Sequence, residues 1–133
     1  MIDEVIQIVA AVAVDAEGRV LLVRKRGTLV FMQPGGKLES EEMPIEALRR
    51  EIAEELLAGF KDAALLGRYQ ARAANEAGRT VDALLYEVTL EGPIEAAAEI
   101  DELVWVDPRA PGTIKLAPLT SDIVFPLLLS HMS

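Results

Sequence analysis

The stretch GKLESEEMPIEALRREIAEELLAG, residues 36–59, decides how this chain is read. Glu51, Glu54 and Glu55 stand at i, i+3 and i+4, a spacing that stacks side chains on one face of a helix. Three like charges there repel one another. From residues 50–55 alone a Glu-rich surface helix is the simpler reading. The cluster becomes an asset where a hard cation such as Mg²⁺ needs several oxygen ligands while keeping positions open for phosphate and water. Arg50 lies four residues before Glu54, so its guanidinium can neutralise and orient part of the cluster. Ile45, Leu48, Ile52 and Leu56 recur at helical spacing, which anchors the helix on one side and leaves the carboxylates on another. Pro44 suits the first turn and Glu46 the positive end of the dipole, while Met43 at the N-cap is a poor capping residue.

The residues upstream change the odds. Gln33-Pro34-Gly35-Gly36-Lys37 reads as a chain-reversing loop, where two glycines let the backbone approach a ligand and turn a carbonyl toward it. Glu42 follows Gly36 after five residues, and Arg50-Glu51 follows Glu42 after seven. In this register the chain resembles the Nudix hydrolases of the MutT-like kind, whose box reads G-x5-E-x7-R-E-U-x-E-E-x-G-U with U a bulky aliphatic. Gly36, Glu42, Arg50, Glu51, Ile52, Glu54 and Glu55 all match. Leu57 stands where the box has glycine, and Ala58 where it has a bulky aliphatic. Both follow the last carboxylate, so they bear on how the helix ends. Leucine resists the left-handed backbone that glycine adopts readily. The expectation is therefore a helix running one or two residues past Leu57, with Gly59 taking the C-terminal role and Leu57→Gly costing stability. A left-handed Leu57 would instead count toward a noncatalytic reading.

Composition bounds the partners. A chain of 133 residues suits one domain, here residues 1–133 with the box at 36–58. With 13 basic and 22 acidic residues the formal charge is −9, which argues against polymeric nucleic acid and an anionic membrane surface. An anionic small molecule then needs metal ions and a local basic patch to offset the field. There is no cysteine, which excludes disulfides, thiolate metal sites and cysteine nucleophiles and is compatible with a cytoplasmic protein. The apolar run Val5 to Val14 is about half a membrane span and follows acidic residues, so it reads as neither signal nor anchor.

The same run reads as a buried strand, with Asp15 to Gly18 as a turn and Arg19 to Lys25 as the returning strand of a hairpin. Leu29 to Gln33 is a short strand leading into the glycine loop. Ala64 to Ala73 and Val81 to Leu90 are strands around the turn Asn75 to Gly78, and Leu103 to Val106 is another. Thr120 is placed to cap a last helix toward Leu129, which Pro126 would kink or shorten. Trp105 and Tyr86 alternate with apolar neighbours and read as packing, and His131 as part of a disordered tail. Strands on both sides of a central helix suggest an α+β fold with a mixed sheet covered on both faces. The resemblance implies the same, an α/β/α sandwich.

The resemblance also implies roles. Glu51 and Glu55 would be metal ligands with the Gly35 carbonyl, for Mg²⁺ or alternatively Mn²⁺, and Glu54 would bind a second metal or orient the attacking water. The general base stays open between Glu51 and Glu54. Arg50 would hold the glutamates, with Glu42 in its network. Glu99 or Glu102 is the candidate for a late carboxylate completing the metal site, Glu99 being preferred. Arg24 would contact phosphate, assisted by Lys25, Arg26 and Lys37, and Phe31 and Gln33 would line a base pocket. The implied reaction is metal-dependent cleavage of a phosphoanhydride in a nucleoside diphosphate-linked small molecule. A nucleoside triphosphate, oxidised forms included, is slightly favoured, releasing the monophosphate and pyrophosphate. ADP-ribose or another sugar nucleotide is the close competitor, although users of that substrate commonly carry an added N-terminal dimerisation segment, which this chain is expected to lack. A homodimer is left open. A noncatalytic nucleotide-binding module is the alternative of another class, and it should show decay among carboxylates that are all present here.

Overall fold

The computed structural model describes residues 4–132, with no side-chain description for Met132. Its elements are β1 (Glu4–Val12), β2 (Val20–Lys25), β3 (Val30–Met32), β4 (Gly35–Lys37), α1 (Pro44–Leu56), β5 (Gly59–Arg72), β6 (Arg79–Glu91), β7 (Ile100–Val106), β8 (Lys115–Leu116) and α2 (Phe125–Met132), the last preceded by a π-helical turn over Leu119–Val124. The strands form two mixed sheets, ordered β4-β1-β6-β5 and β7-β2-β3-β8, where the sequence suggested one. β1 runs parallel to β6 and antiparallel to β4.

Strand alternation builds the layers. Val9, Ala11, Leu21 and Val23 face Leu48, Ile52 and Leu56 of α1, while Ala10, Val12, Val20 and Leu22 face Val124, Phe125 and Leu128 at the far side. Each strand is thus apolar on both faces, which is why β1 reads as a continuous hydrophobic run instead of an alternating one. The result is the expected α/β/α layering, with Trp105 and Tyr86 packed against the α1-side core.

Several local expectations are corrected. The turn at Asp15 forms, its Oδ1 accepting from the N–H groups of Glu17 and Arg19 at 2.9 Å each. However, β1 and β2 do not continue as a hairpin; they share one bridge, Val14 to Val20, and then enter different sheets. The cause is that β4 and β6 flank β1 on its two edges, leaving little for β2 to pair with. The glycine loop becomes β4, paired with β1 through Gly35 and Ala10. Thr120 does not cap the final helix, because its hydroxyl donates to Gln33 Oε1 at 3.0 Å in the interior. Pro126 falls in the first turn of α2, just after a widened turn in which the Phe125 N–H reaches the Thr120 carbonyl, so its missing N–H does not break the helix. His131 lies in the last turn of α2 and not in a disordered tail.

The largest correction concerns Leu57. It is left-handed (φ 53°, ψ 37°), and α1 stops at Leu56. A continuing helix would need the Glu55 and Leu56 carbonyls, but the N–H groups of Ala97 and Glu95 take them, each at 2.9 Å. Tertiary hydrogen bonds from the loop after β6 therefore override the steric cost to leucine. Because Leu57 is 60 % exposed, little burial offsets that strain. The sign of the Leu57→Gly expectation accordingly reverses: denaturant unfolding should show a gain of about 1 kcal/mol, with turnover nearly unchanged. The left-handed cap is the outcome that counts toward a noncatalytic reading, but Glu55 keeps its buried place two residues earlier, so the carboxylate face itself is intact.

Candidate active site

β4 lies against α1, and the two glycines determine what fits between them. Gly35 has φ 150°, and a Cβ there would overlap the Val9 carbonyl of the adjacent strand. Its N–H donates to Glu55 Oε1 at 3.1 Å. A Cβ on Gly36 would lie 2.5 and 2.6 Å from the two carboxylate oxygens of Glu51. The pair therefore makes room for one carboxylate and hydrogen-bonds the other. Glu55 is 2 % exposed. Burial pushes its pKa up to about 8, with the negative charge of Glu51 adding to the rise and the Gly35 N–H opposing it. Burial also raises Glu51, against the pull of Arg50.

Arg50 organises the rest. Its Nε and Nη2 donate to the two oxygens of Glu42 at 2.9 and 3.0 Å, and its Nη1 donates to Glu51 Oε1 at 2.8 Å. Nη2 also reaches the Lys37 carbonyl at 3.3 Å, and Glu54 Oε2 lies 3.7 Å from Nη1. The bidentate bond holds Glu42 below its usual carboxylate range and raises Arg50 further above its own. The Met43 N–H, at the N-cap, is taken by Glu46 Oε1 at 3.3 Å, which compensates for the poor cap.

A cleft of about 420 Å³ opens beside the glycines. Lys25, Arg26, Gln33, Lys37 and Glu99 line it, as do Gly35 and Gly36. Arg24 and Phe31 do not: Arg24 is bound to Glu102 and Asp101 at 3.1 Å each and to the Thr28 carbonyl at 3.0 Å, and Phe31 is packed in the α2-side core. Glu102 is committed to Arg24, whereas Glu99 sits at the cleft with Lys25 Nζ 3.4 Å away. Gln33 is fixed at the floor, its amide donating to the Ala11 carbonyl and accepting from Thr120, both at 3.0 Å. Sequence reasoning missed Thr120, Arg72 and Asn75, which also line the cleft. The polar turn between β5 and β6 was legible, but nothing in its residues told that it folds over this cleft.

No three carboxylates or imidazoles among the described residues converge closely enough to hold a metal ion as a set. Glu51 and Glu55 nevertheless fit a divalent cation as a pair. Each is raised by burial, and Glu51's charge raises Glu55 further, a penalty that a cation would relieve. Glu54, about half exposed, is aimed at Arg50.

An α/β/α sandwich with an acidic helix face beside a cation-rimmed cleft defines a class of domain suited to polyphosphate chemistry. The NUDIX domain pattern matches residues 6–127, and the chain belongs to the Nudix family. It is 28 % identical to the E. coli ORF135 protein, whose solution structure superposes over 98 % of this chain and 90 % of that one with a TM-score of 0.72. The MutT protein of Methanosarcina mazei Go1, at 19 % identity, shares the fold with a TM-score of 0.80 over 100 % of this chain and 99 % of that one. An RNA pyrophosphohydrolase of Halorhodospira halophila is 41 % identical over 59 residues, 44 % of this chain, and the match spans only 33 % of that protein. Among the described residues no helix is long and apolar enough to cross a membrane.

Proposed function

We propose that this protein hydrolyses a phosphoanhydride bond of a nucleoside diphosphate-linked small molecule, a nucleoside triphosphate in first place, giving the monophosphate and pyrophosphate. The observation that carries this reading is the placement of the buried Glu55 and the partly buried Glu51 against Gly35 and Gly36, which line a cleft that also holds Lys25, Arg26, Lys37 and Arg72. A chain of net charge −9 disfavours a polyphosphate, and at this cleft Lys25, Arg26, Lys37 and Arg72 outnumber Glu76 and Glu99. Glu51 and Glu55 would hold a divalent cation, Mg²⁺ or Mn²⁺, which when bound would supply charge neutralisation at phosphate and a more acidic attacking water. Arg50 keeps Glu51 aimed toward Gly36 through its bond to Oε1 and is itself fixed by Glu42. Glu54 is exposed and weakly held, which leaves it free to accept a proton from water or to join a second cation. Gln33, locked by Thr120 and the Ala11 carbonyl, presents a fixed polar floor against which a base can be oriented.

The test is product analysis with nucleoside triphosphates, ADP-ribose and a 5′-triphosphorylated oligonucleotide, with and without Mg²⁺. Monophosphate and pyrophosphate formed only with the metal support the proposal. Preferred release from ADP-ribose or the oligonucleotide would reassign the substrate, and no turnover of any of them would favour a noncatalytic nucleotide-binding module. Because Arg24 is bonded to Glu102, Asp101 and the Thr28 carbonyl, we assign phosphate binding to its neighbours Lys25 and Arg26. Arg24→Ala should leave KM within about twofold and lower the melting temperature slightly, whereas Arg26→Ala should raise KM. Steady-state kinetics on both variants decides it.

A further inference from the structure

Two buried polar side chains meet at the floor of the cleft. Gln33 is 6 % exposed and Thr120 is fully buried, and both line the cavity beside Gly35 and Gly36. The bond between them fixes an order of donors and acceptors. A backbone carbonyl only accepts, so the end of the Gln33 amide that lies 3.0 Å from the Ala11 oxygen is its nitrogen. The other end is then Oε1, and the Thr120 hydroxyl, also at 3.0 Å, has to donate to it. The Thr120 backbone is held on both sides: its N–H donates to the Ala117 carbonyl at 3.0 Å, and its carbonyl accepts from the Phe125 N–H across the π-helical turn.

A glutamine amide carries two N–H groups and two oxygen lone pairs. Ala11 and Thr120 take one of each, so one N–H and one lone pair remain for a ligand. In the interior an unmatched N–H is costlier than a carbonyl oxygen with a lone pair unused. The ligand group that suits this floor is therefore an acceptor. The walls do not choose among bases, because Ile6, Ile8, Met32, Val81 and Leu119 are aliphatic and no aromatic ring lines the cleft among the described residues. The Thr28 hydroxyl is already given to the Lys25 carbonyl at 2.9 Å.

We propose that Thr120 is a positioning residue for base selection: by committing Gln33 Oε1 it leaves an N–H for the ligand, so the cleft takes nucleotides whose base carries a keto oxygen where adenine and cytosine carry an exocyclic amine. This rests on the reading that the cleft holds the nucleoside end of a nucleotide. A keto oxygen accepts from that N–H. An amine in its place sets N–H against N–H and leaves both without a partner.

The experiment uses the matched pairs IMP with AMP and UMP with CMP, titrated by calorimetry into wild-type protein, Thr120→Val and Thr120→Ser, alongside kcat/KM for the corresponding triphosphates with Mg²⁺. Wild type should prefer the keto member of each pair by about threefold to tenfold. Thr120→Val should bring both ratios to within about twofold of unity, and Thr120→Ser, which keeps the hydroxyl, should retain the preference. A residue that only packed would move the affinities for both members together and leave the ratio alone. Should Thr120→Val not fold, Gln33→Met takes its place, with the same expected loss of preference. Equal binding of both members by wild type, or an unchanged ratio in the variant that removes the hydroxyl or the amide, overturns this proposal and leaves the hydrolase reading standing. Absence of binding and turnover with every nucleotide removes that reading and this proposal with it.

Discussion

Glu55→Gln is expected to lower Mg²⁺-dependent turnover at least a hundredfold while making the metal-free protein more stable at neutral pH. The loss follows from taking a formal charge from a cation ligand at nearly constant shape, and corresponds to about 3 kcal/mol of transition-state stabilisation. The gain follows from burial. The folded protein raises the Glu55 pKa from 4.5 to about 8 and so binds a proton that the unfolded chain has released between those values. Stability contributed by this group is full below the unfolded pKa and falls as pH rises through the folded one. At pH 7 the accumulated penalty is on the order of 3 kcal/mol, and a neutral amide does not carry it. Glu51, also raised, adds in the same direction. Metal-free wild type should thus melt progressively lower from about pH 5 to pH 8, whereas Glu55→Gln should show a much flatter profile. Glu42 and Asp82 have depressed pKa values and act oppositely, losing their contribution only as pH falls below the usual carboxylate range. Added Mg²⁺ should raise the wild-type melting temperature most at alkaline pH and leave the variant almost unmoved. Normal Mg²⁺-dependent turnover in Glu55→Gln would remove Glu55 from the metal site.

How far the sequence carried this reading depends on whether the controlling interaction is local. The face of α1 was legible because spacing along a helix fixes which side chains share a side, and Glu51, Arg50 and Glu55 do meet beside the glycines. The core seam Leu48, Ile52 and Leu56 was legible for the same reason. The end of that helix was not, because the atoms that stop it are the N–H groups of Glu95 and Ala97, about 40 residues later in the chain. The separation of β1 from β2 was hidden likewise, being set by which strands flank β1. Arg24 and Lys25 show the limit most sharply. Adjacent bases on a strand point to opposite faces, so Arg24 follows the α2-side row of Val20 and Leu22 and Lys25 the α1-side row of Leu21 and Val23. Nothing within VLLVRK says which of those two rows lies beside the acidic helix.

The two glycines of β4 should separate fold from chemistry. Gly35→Ala should cost about 3 kcal/mol or more, because the new Cβ would meet the Val9 carbonyl and lie 2.8 Å from the Ala10 Cα. Both obstacles are backbone of the buried half of β1, an interior strand of its sheet, and the required φ of 150° is itself strained for an L residue. Gly36→Ala meets a side chain instead. Its Cβ would take the space of the Glu51 carboxylate, which can leave by rotating away from the Arg50 Nη1 that holds it. The strand tolerates alanine, so stability should change by about 1 kcal/mol or less, while displacement of the carboxylate should lower turnover about a hundredfold. Denaturant unfolding and steady-state rates on the two variants provide the comparison. If Gly36→Ala unfolded as readily as Gly35→Ala, the second glycine would serve packing alone. If it folded and turned over normally, the Glu51 carboxylate would not need the place it holds beside Gly36, and its assignment as a metal ligand would fall.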